Sequence, residues 1–263
     1  MRIKLLSFLL LTCFLITSCS NPIIKGNGEI ITQEINIQDY DALEVEGGRI
    51  ILNYSQKTSD SYFSITTDEN ILEKYYIRVE GKTLKVKPKE EYRRANFQPT
   101  QFNILTHSTE LTRMGIAGNG EANINETLHT DNLKIEIAGS GTVNLNDSVF
   151  MTEVKTNIAG SANLNAPALI GTTFRGEIAG SGKLYLGGMV ENSSYNVAGS
   201  GKVFAFDLET ANTKCEIAGS GNMEVTVSNS LNVNIAGSGS IRYKGEPEIS
   251  KSIAGSGSIK QVE

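Results

Sequence analysis

Apolar and polar residues alternate along much of this chain, and over its last 150 or so residues a recurring tetrapeptide sets the phase of the alternation. In one copy Leu133, Ile135, Ile137, Val143 and Leu145 are apolar, while Lys134, Glu136, Thr142 and Asn144 stand between them. A period of two is the pattern of half-buried strand and fits no helix. The tetrapeptide Ile-Ala-Gly-Ser, or a close variant, starts at Ile116, Ile137, Ile158, Ile178, Val197, Ile217, Ile235 and Ile253, in steps of 18 to 21 residues. Each unit reads as two short strands joined through Ala-Gly-Ser-Gly, with a more variable bend before the next copy.

A repeat of about 20 residues is too small to bury its own apolar face, so successive copies must stack. At roughly 3.3 Å per residue it is long enough to go once round a narrow coil and return one strand spacing higher. The pattern therefore predicts an all-β fold, a parallel β-helix, with equivalent residues about 4.8 Å apart and eight copies forming a rod roughly 35–40 Å long. A β-propeller needs blades of about 40 residues, and Trp is absent. The paired glycines, such as Gly139 and Gly141, stay in phase with the inward set. That phase, with Ala162 replacing one second glycine, favours tight interior packing over an obligatory positive φ.

Stacking gives meaning to the residue just before each motif: Glu136, Asn157, Glu177, Asn196, Glu216 and Asn234 alternate acid and amide. In a parallel coil they form one column, where an interleaved Asn can donate to the Glu on either side. The column reads as a surface ladder fixing register, or, more sharply, as a cation or carbohydrate face.

Residues 36–112 are β-rich but less regular, and read as an atypical cap for residues 113–263. Tyr40 to Leu52 looks like a degenerate coil with Gly47 and Gly48 at the bend. Alternating strands around Gly81 and Lys82 predict a hairpin. Asp68 to Lys74 predicts one helical turn, N-capped by Asp68 or Thr67. Residues 90–98, with Arg93 and Arg94, predict an exposed loop, and residues 19–35 a short tether.

The first 18 residues have the form of a signal peptide, with Arg2 and Lys4 before a short apolar run from Leu5 to Ile16. Leu15 to Cys19 resembles a bacterial lipobox. That resemblance implies lipidation of Cys19 and a membrane partner through the acyl chains. Ser20 gives no inner-membrane retention signal, so an outer-membrane location is expected. Without the signal, 22 Lys and Arg face 29 Asp and Glu, an acidity that argues against nucleic acid. Cys215, in the repeat position of Ile135 and Val233, reads as a small core hydrophobe.

The opening strand ending in Leu43, Glu44 and Val45, the Asp68-Glu-Asn70 segment, the hairpin with Leu84 to Val86 and the iterated Ala-Gly-Ser-Gly together resemble the putative auto-transporter adhesin, head GIN domain family. The resemblance spans roughly residues 28–260. It implies a β-helical fold and adhesion, and supplies no catalytic residues.

A catalytic reading finds little support. Asp131, Asp147 and Asp207 share no repeat position, the calcium-binding nonapeptide lacks its Asp throughout, and His107 and His129 sit in unrelated contexts. Ser140, Ser161 and their equivalents have no partnering His and read as a hydroxyl ladder. No cofactor and no metal site is expected. The leading expectation is a lipid-anchored, non-catalytic envelope protein presenting a repetitive face to a glycan or surface protein. The alternatives are a polysaccharide-active β-helix using Glu136, Glu177 and Glu216 or the Arg93–Arg94 loop, and a periplasmic scaffold or sensor. Lys244, Lys251 and Lys260 near the last copy predict a marginal edge, either blocked by charge or used for weak self-association.

Overall fold

The computed structural model describes residues 21–263; the expected signal peptide and Cys19 lie outside them. From Arg113 onward the chain winds as a β-solenoid whose strands pair in parallel, each coil with the one before and the one after. The eight motif copies bound about seven turns, spaced by about 20 residues.

The alternation expected from sequence is the alternation observed. Leu133, Ile135, Ile137, Val143 and Leu145 are all buried, and their equivalents stack into interior columns such as Val45, Ile116, Ile137, Ile158, Ile178, Val197, Ile217 and Ile235. Burying one such side chain contributes about 1.5–3 kcal/mol, and one apolar cluster runs unbroken from Tyr40 to Tyr243.

The two glycines of the motif differ. Gly139 is exposed, with φ +111. It turns the corner, and its carbonyl accepts the N–H of Ser161 in the next coil at 2.8 Å. Positive φ is thus required at the first glycine, contrary to the packing expectation. Gly141 is buried without unusual φ, and a Cβ there would lie 2.9 Å from the Gly120 carbonyl and 3.3 Å from Ile116. Tight packing governs the second position alone.

The strands Ala42–Gly47 and Ile51–Gln56 form a further coil, paired in parallel with Arg113–Gly118 and Glu121–Ile124. Residues between Gln56 and Arg113 fold back over its free edge. The hairpin Tyr75–Glu80/Thr83–Pro88 turns through Gly81 and Lys82, both at positive φ, as a two-residue hairpin with right-handed strand twist demands. Thr83–Pro88 adds to Ala42–Gly47, and Phe102–Ser108 adds to Ile51–Gln56.

Within residues 19–35, Ile23–Lys25 pairs with Asn96–Gln98, and Ile30–Glu34 pairs with Tyr62–Asp68. The described part of the expected tether is thereby tied to the cap. The short helix is Glu69–Leu72, and Asp68 makes no side-chain cap. Its carboxylate instead accepts the N–H groups of Gly28 and Thr100, each at 2.8 Å. Thr67 donates its hydroxyl to the Gln101 carbonyl.

Candidate functional site

Three outward-facing sets of columns carry chemistry. On the first, the expected acid–amide ladder is one column in unbroken register: Glu136, Asn157, Glu177, Asn196, Glu216 and Asn234. Beside it runs a basic column of Arg113, Lys134, Lys155 and Arg175, with Lys214 further along. On the other side run the motif alanines. The ladder from Glu136 to Asn196, Arg113 and the motif alanines line a groove of about 700 Å³ that reaches back to Glu44, Glu46, Lys85 and Lys87.

The ladder's bonding differs from the expectation. No Asn of the column donates to its Glu neighbours; cations take the carboxylates instead. Glu136 binds Lys134 at 2.7 Å and Arg113 at 2.8 Å, Glu177 binds Lys155 at 2.9 Å, and Glu216 binds Lys214 at 3.0 Å. A charge-assisted bond is roughly twice as strong as a neutral one, so the lysine two residues back, or one coil below, outcompetes the amide. Gly115 occupies the column position between Glu44 and Glu136, and Arg113 bridges both carboxylates across that gap. The Lys134 and Arg113 hydrogen bonds hold the Glu136 carboxyl below its usual range. A glycosidase proton donor needs the opposite shift.

The second face went unrecognised in the sequence. Seven residues after the first residue of each motif stand Asn123, Asn144, Asn165, Tyr185, Phe204, Glu224, Arg242 and Lys260, and they stack in register. Asn144 donates to Asn123 at 2.8 Å and Asn165 to Asn144 at 2.6 Å. The column then turns aromatic: Tyr185 and Phe204 lie 4.8 Å apart, within 11° of parallel. Glu224 pairs with Arg242. Phe206 and Asp207 bulge outward where the register shifts between Ala205 and Glu209, and Lys244 sits 5.3 Å over the Phe206 ring. A groove of about 530 Å³ opens along this column. The constant offset was the available signal; the change from amide to aromatic hid it.

The third face is an apolar stripe. His129, Phe150, Ile170 and Met189 occupy successive coils in register. His129 stacks on Phe150 at 5.0 Å, and Phe150, Ile170 and Met189 are 40%, 40% and 61% exposed. A groove of about 880 Å³ beside Met189 has Glu191, Glu209 and Glu246 on its lining.

The remaining candidates lie apart. His107 stacks on Tyr62 in the cap, and its ring Nε2 lies 3.0 Å from the Asp60 carbonyl, far in sequence and setting from His129. Arg93 follows a single 3₁₀ turn, Glu90–Tyr92, and is 3.8 Å from Glu90. Cys215 is fully buried between Tyr195 and Val233, where burial raises its thiol pKa and keeps it protonated. Among the described residues no helix is long and apolar enough to cross a membrane.

A family model described as putative auto-transporter adhesin, head GIN domain, matches residues 39–173 and 146–247. Among solved structures, one described as a putative lipid binding protein from Parabacteroides distasonis is 39% identical, with a TM-score of 0.89 over 92% of this chain and 100% of its own. A putative adhesin from Parabacteroides merdae is 30% identical, with a TM-score of 0.86 over the same shares. A second Parabacteroides distasonis structure, described as a putative adhesin, is 28% identical, with a TM-score of 0.81 over 91% of this chain and 100% of that one. No curated protein matches the chain.

Proposed function

This chain belongs to the putative auto-transporter adhesin, head GIN domain family, and from that premise we propose that it is a non-catalytic adhesin of the cell envelope, lipidated at Cys19 and held on the outer membrane. The observation that carries the reading is the register of the strands through the Ile-Ala-Gly motif, which holds coil after coil and lines up the acid–amide ladder from Glu136 to Asn234 along the solenoid. Such a surface suits an extended or repetitive partner, a glycan or a surface protein. The ladder groove supports the non-catalytic part, because Glu136, Glu177 and Glu216 are all held by cations.

Protease shaving of intact cells, with and without Cys19→Ala, tests the reading. Digestion at the surface, together with release of the Cys19→Ala protein from membranes, is the expected result. Full protection in intact cells would favour the periplasmic scaffold instead.

The exposed Phe150, Ile170 and Met189 stripe favours a second reading, contact with an acyl chain or another lipid, in line with the description of one similar structure. Native mass spectrometry of protein incubated with fatty acids, with Met189→Glu as control, separates the two.

A further inference from the structure

The groove along Asn165, Tyr185 and Phe204 differs from the ladder groove in one decisive respect: its polar groups are left open. Asn165 ends the amide ladder. It spends one N–H on Asn144, while its second N–H and its carbonyl oxygen have no partner among the described residues and border the groove. The next coil places the Tyr185 ring against it in register, with Phe204 stacked beyond. Among the described residues the Tyr185 hydroxyl finds no hydrogen-bond partner, and the Asp207 carboxylate, thrown outward by the bulge, makes neither a hydrogen bond nor an ion pair while lining the same groove. On the ladder face, by contrast, the carboxylates are already taken by Lys and Arg.

We propose that this groove is a binding site for a neutral, pyranose-containing oligosaccharide. The proposal rests on the adhesive reading and names its ligand class and its place on the fold. A pyranose ring has an apolar C–H face and a rim of hydroxyls that both donate and accept. The aromatic pair supplies the apolar surface, amphipathic at Tyr185. The Asn165 amide offers a donor and an acceptor, and the Asp207 carboxylate accepts two hydroxyl hydrogens, the pairing that a sugar rim satisfies. About 530 Å³ falls within the usual size of a small-ligand cleft.

Charge narrows the class. Asp207 and Glu224 both line the groove, and Arg242 is committed to Glu224. Lys244 stands over Phe206 and offsets the Asp207 charge, which leaves the groove without net charge. Such a groove offers a sialylated or sulfated glycan no electrostatic attraction. A neutral chain meets no repulsion, and its successive sugars can follow the column along the solenoid axis.

The test is a glycan array probed with the full-length protein in detergent, carrying neutral gluco- and galacto-oligosaccharides beside sialylated and sulfated counterparts. Hits are then titrated by calorimetry. The expected result is binding confined to neutral glycans. Tyr185→Ala and Asp207→Asn should each weaken it roughly tenfold, Tyr185→Phe should retain most of it, and Glu177→Gln on the ladder face should leave it unchanged. Asp207 is exposed, so Asp207→Asn keeps the test valid if the aromatic variant folds poorly. Binding only to anionic glycans, no binding at all, or neutral binding indifferent to both Tyr185→Ala and Asp207→Asn would overturn the proposal. Cell adhesion measured in parallel separates the two levels. Adhesion that survives Tyr185→Ala and Asp207→Asn defeats this site and leaves the adhesive reading standing, whereas adhesion unchanged on deleting the whole protein, with no glycan bound on the array, defeats both.

Discussion

The carbonyl oxygen of Gly139 lies 2.4 Å from the place a Cβ on Gly160 would occupy, and the same oxygen accepts the N–H of Ser161 at 2.8 Å. The corner of each coil therefore rests on the corner below it, backbone on backbone. Gly160 also sits at φ +119, where a side chain is strained whatever the space. Gly160→Ala is expected to cost about 2–3 kcal/mol, read as a lower denaturant midpoint with an unchanged slope. A loss below about 0.5 kcal/mol would show that the corner relaxes freely.

Thr156 presents the opposite case. It takes the column position of Ile135, is fully buried, and its hydroxyl has no hydrogen-bond partner among the described residues. An unsatisfied buried hydroxyl carries its desolvation cost uncompensated. Thr156→Val keeps the branched shape and should stabilise the protein by about 1 kcal/mol. Chemical denaturation measures it directly; a destabilised variant would mean that the hydroxyl has a partner such as buried water.

Asp68 clamps the N-terminal segment. A Cβ on Gly26 would fall 2.3 Å from its carboxyl group, so the chain passes directly over it. Burial raises the Asp68 pKa, but the Gly28 and Thr100 hydrogen bonds outweigh it and leave the value below the usual one. A lowered folded-state pKa means that the stabilisation is complete above the unfolded value of about 4 and fades as pH falls through the lower folded value. Hydrogen-exchange protection at Gly28 and across Ile30–Glu34 should drop at acidic pH, and Asp68→Asn should reproduce the drop at neutral pH. Unchanged protection in that variant would remove the clamp.

The strand Glu248–Gly255 is exposed along its length, with Ile249 and Ile253 41% and 38% accessible and Lys251 between them. Lys251 takes the register position of the buried Val233 one coil earlier, but is itself exposed. Replacing Lys251 and Lys260 with Val should raise self-association in sedimentation velocity, because charge on an open strand is what discourages edge pairing. An unchanged sedimentation coefficient would point to an edge already protected by other means.

The coil, its interior columns, the hairpin at Gly81–Lys82 and the buried Cys215 were legible because each depends on local alternation or on the repeat step. The ladder was legible as a column but not in its bonding, since Lys155 reaches Glu177 from the coil below. Asp68 was misread as a helix cap because its partners, Gly28 and Thr100, lie 40 and 32 residues away. The apolar stripe from His129 to Met189 keeps the repeat step, but it mixes imidazole, aromatic and aliphatic groups, so no residue type announces it.

The excursion between Gln56 and Arg113 bears on how the solenoid is built in time. Thr112 meets the Asp41 carbonyl across 71 residues of chain, whereas Asn144 meets Asn123 across 21. Closing a long loop costs more entropy than closing a short one, and distant pairings form late. The coils from Arg113 onward can zip together as nearest neighbours, while the first coil must await the folding of the excursion that covers it. During synthesis the order runs against this: residues 42–56 emerge first with no adjacent strand to join. Their exposed edge remains the adhesive hazard of the nascent chain until Arg113–Ile124 arrives.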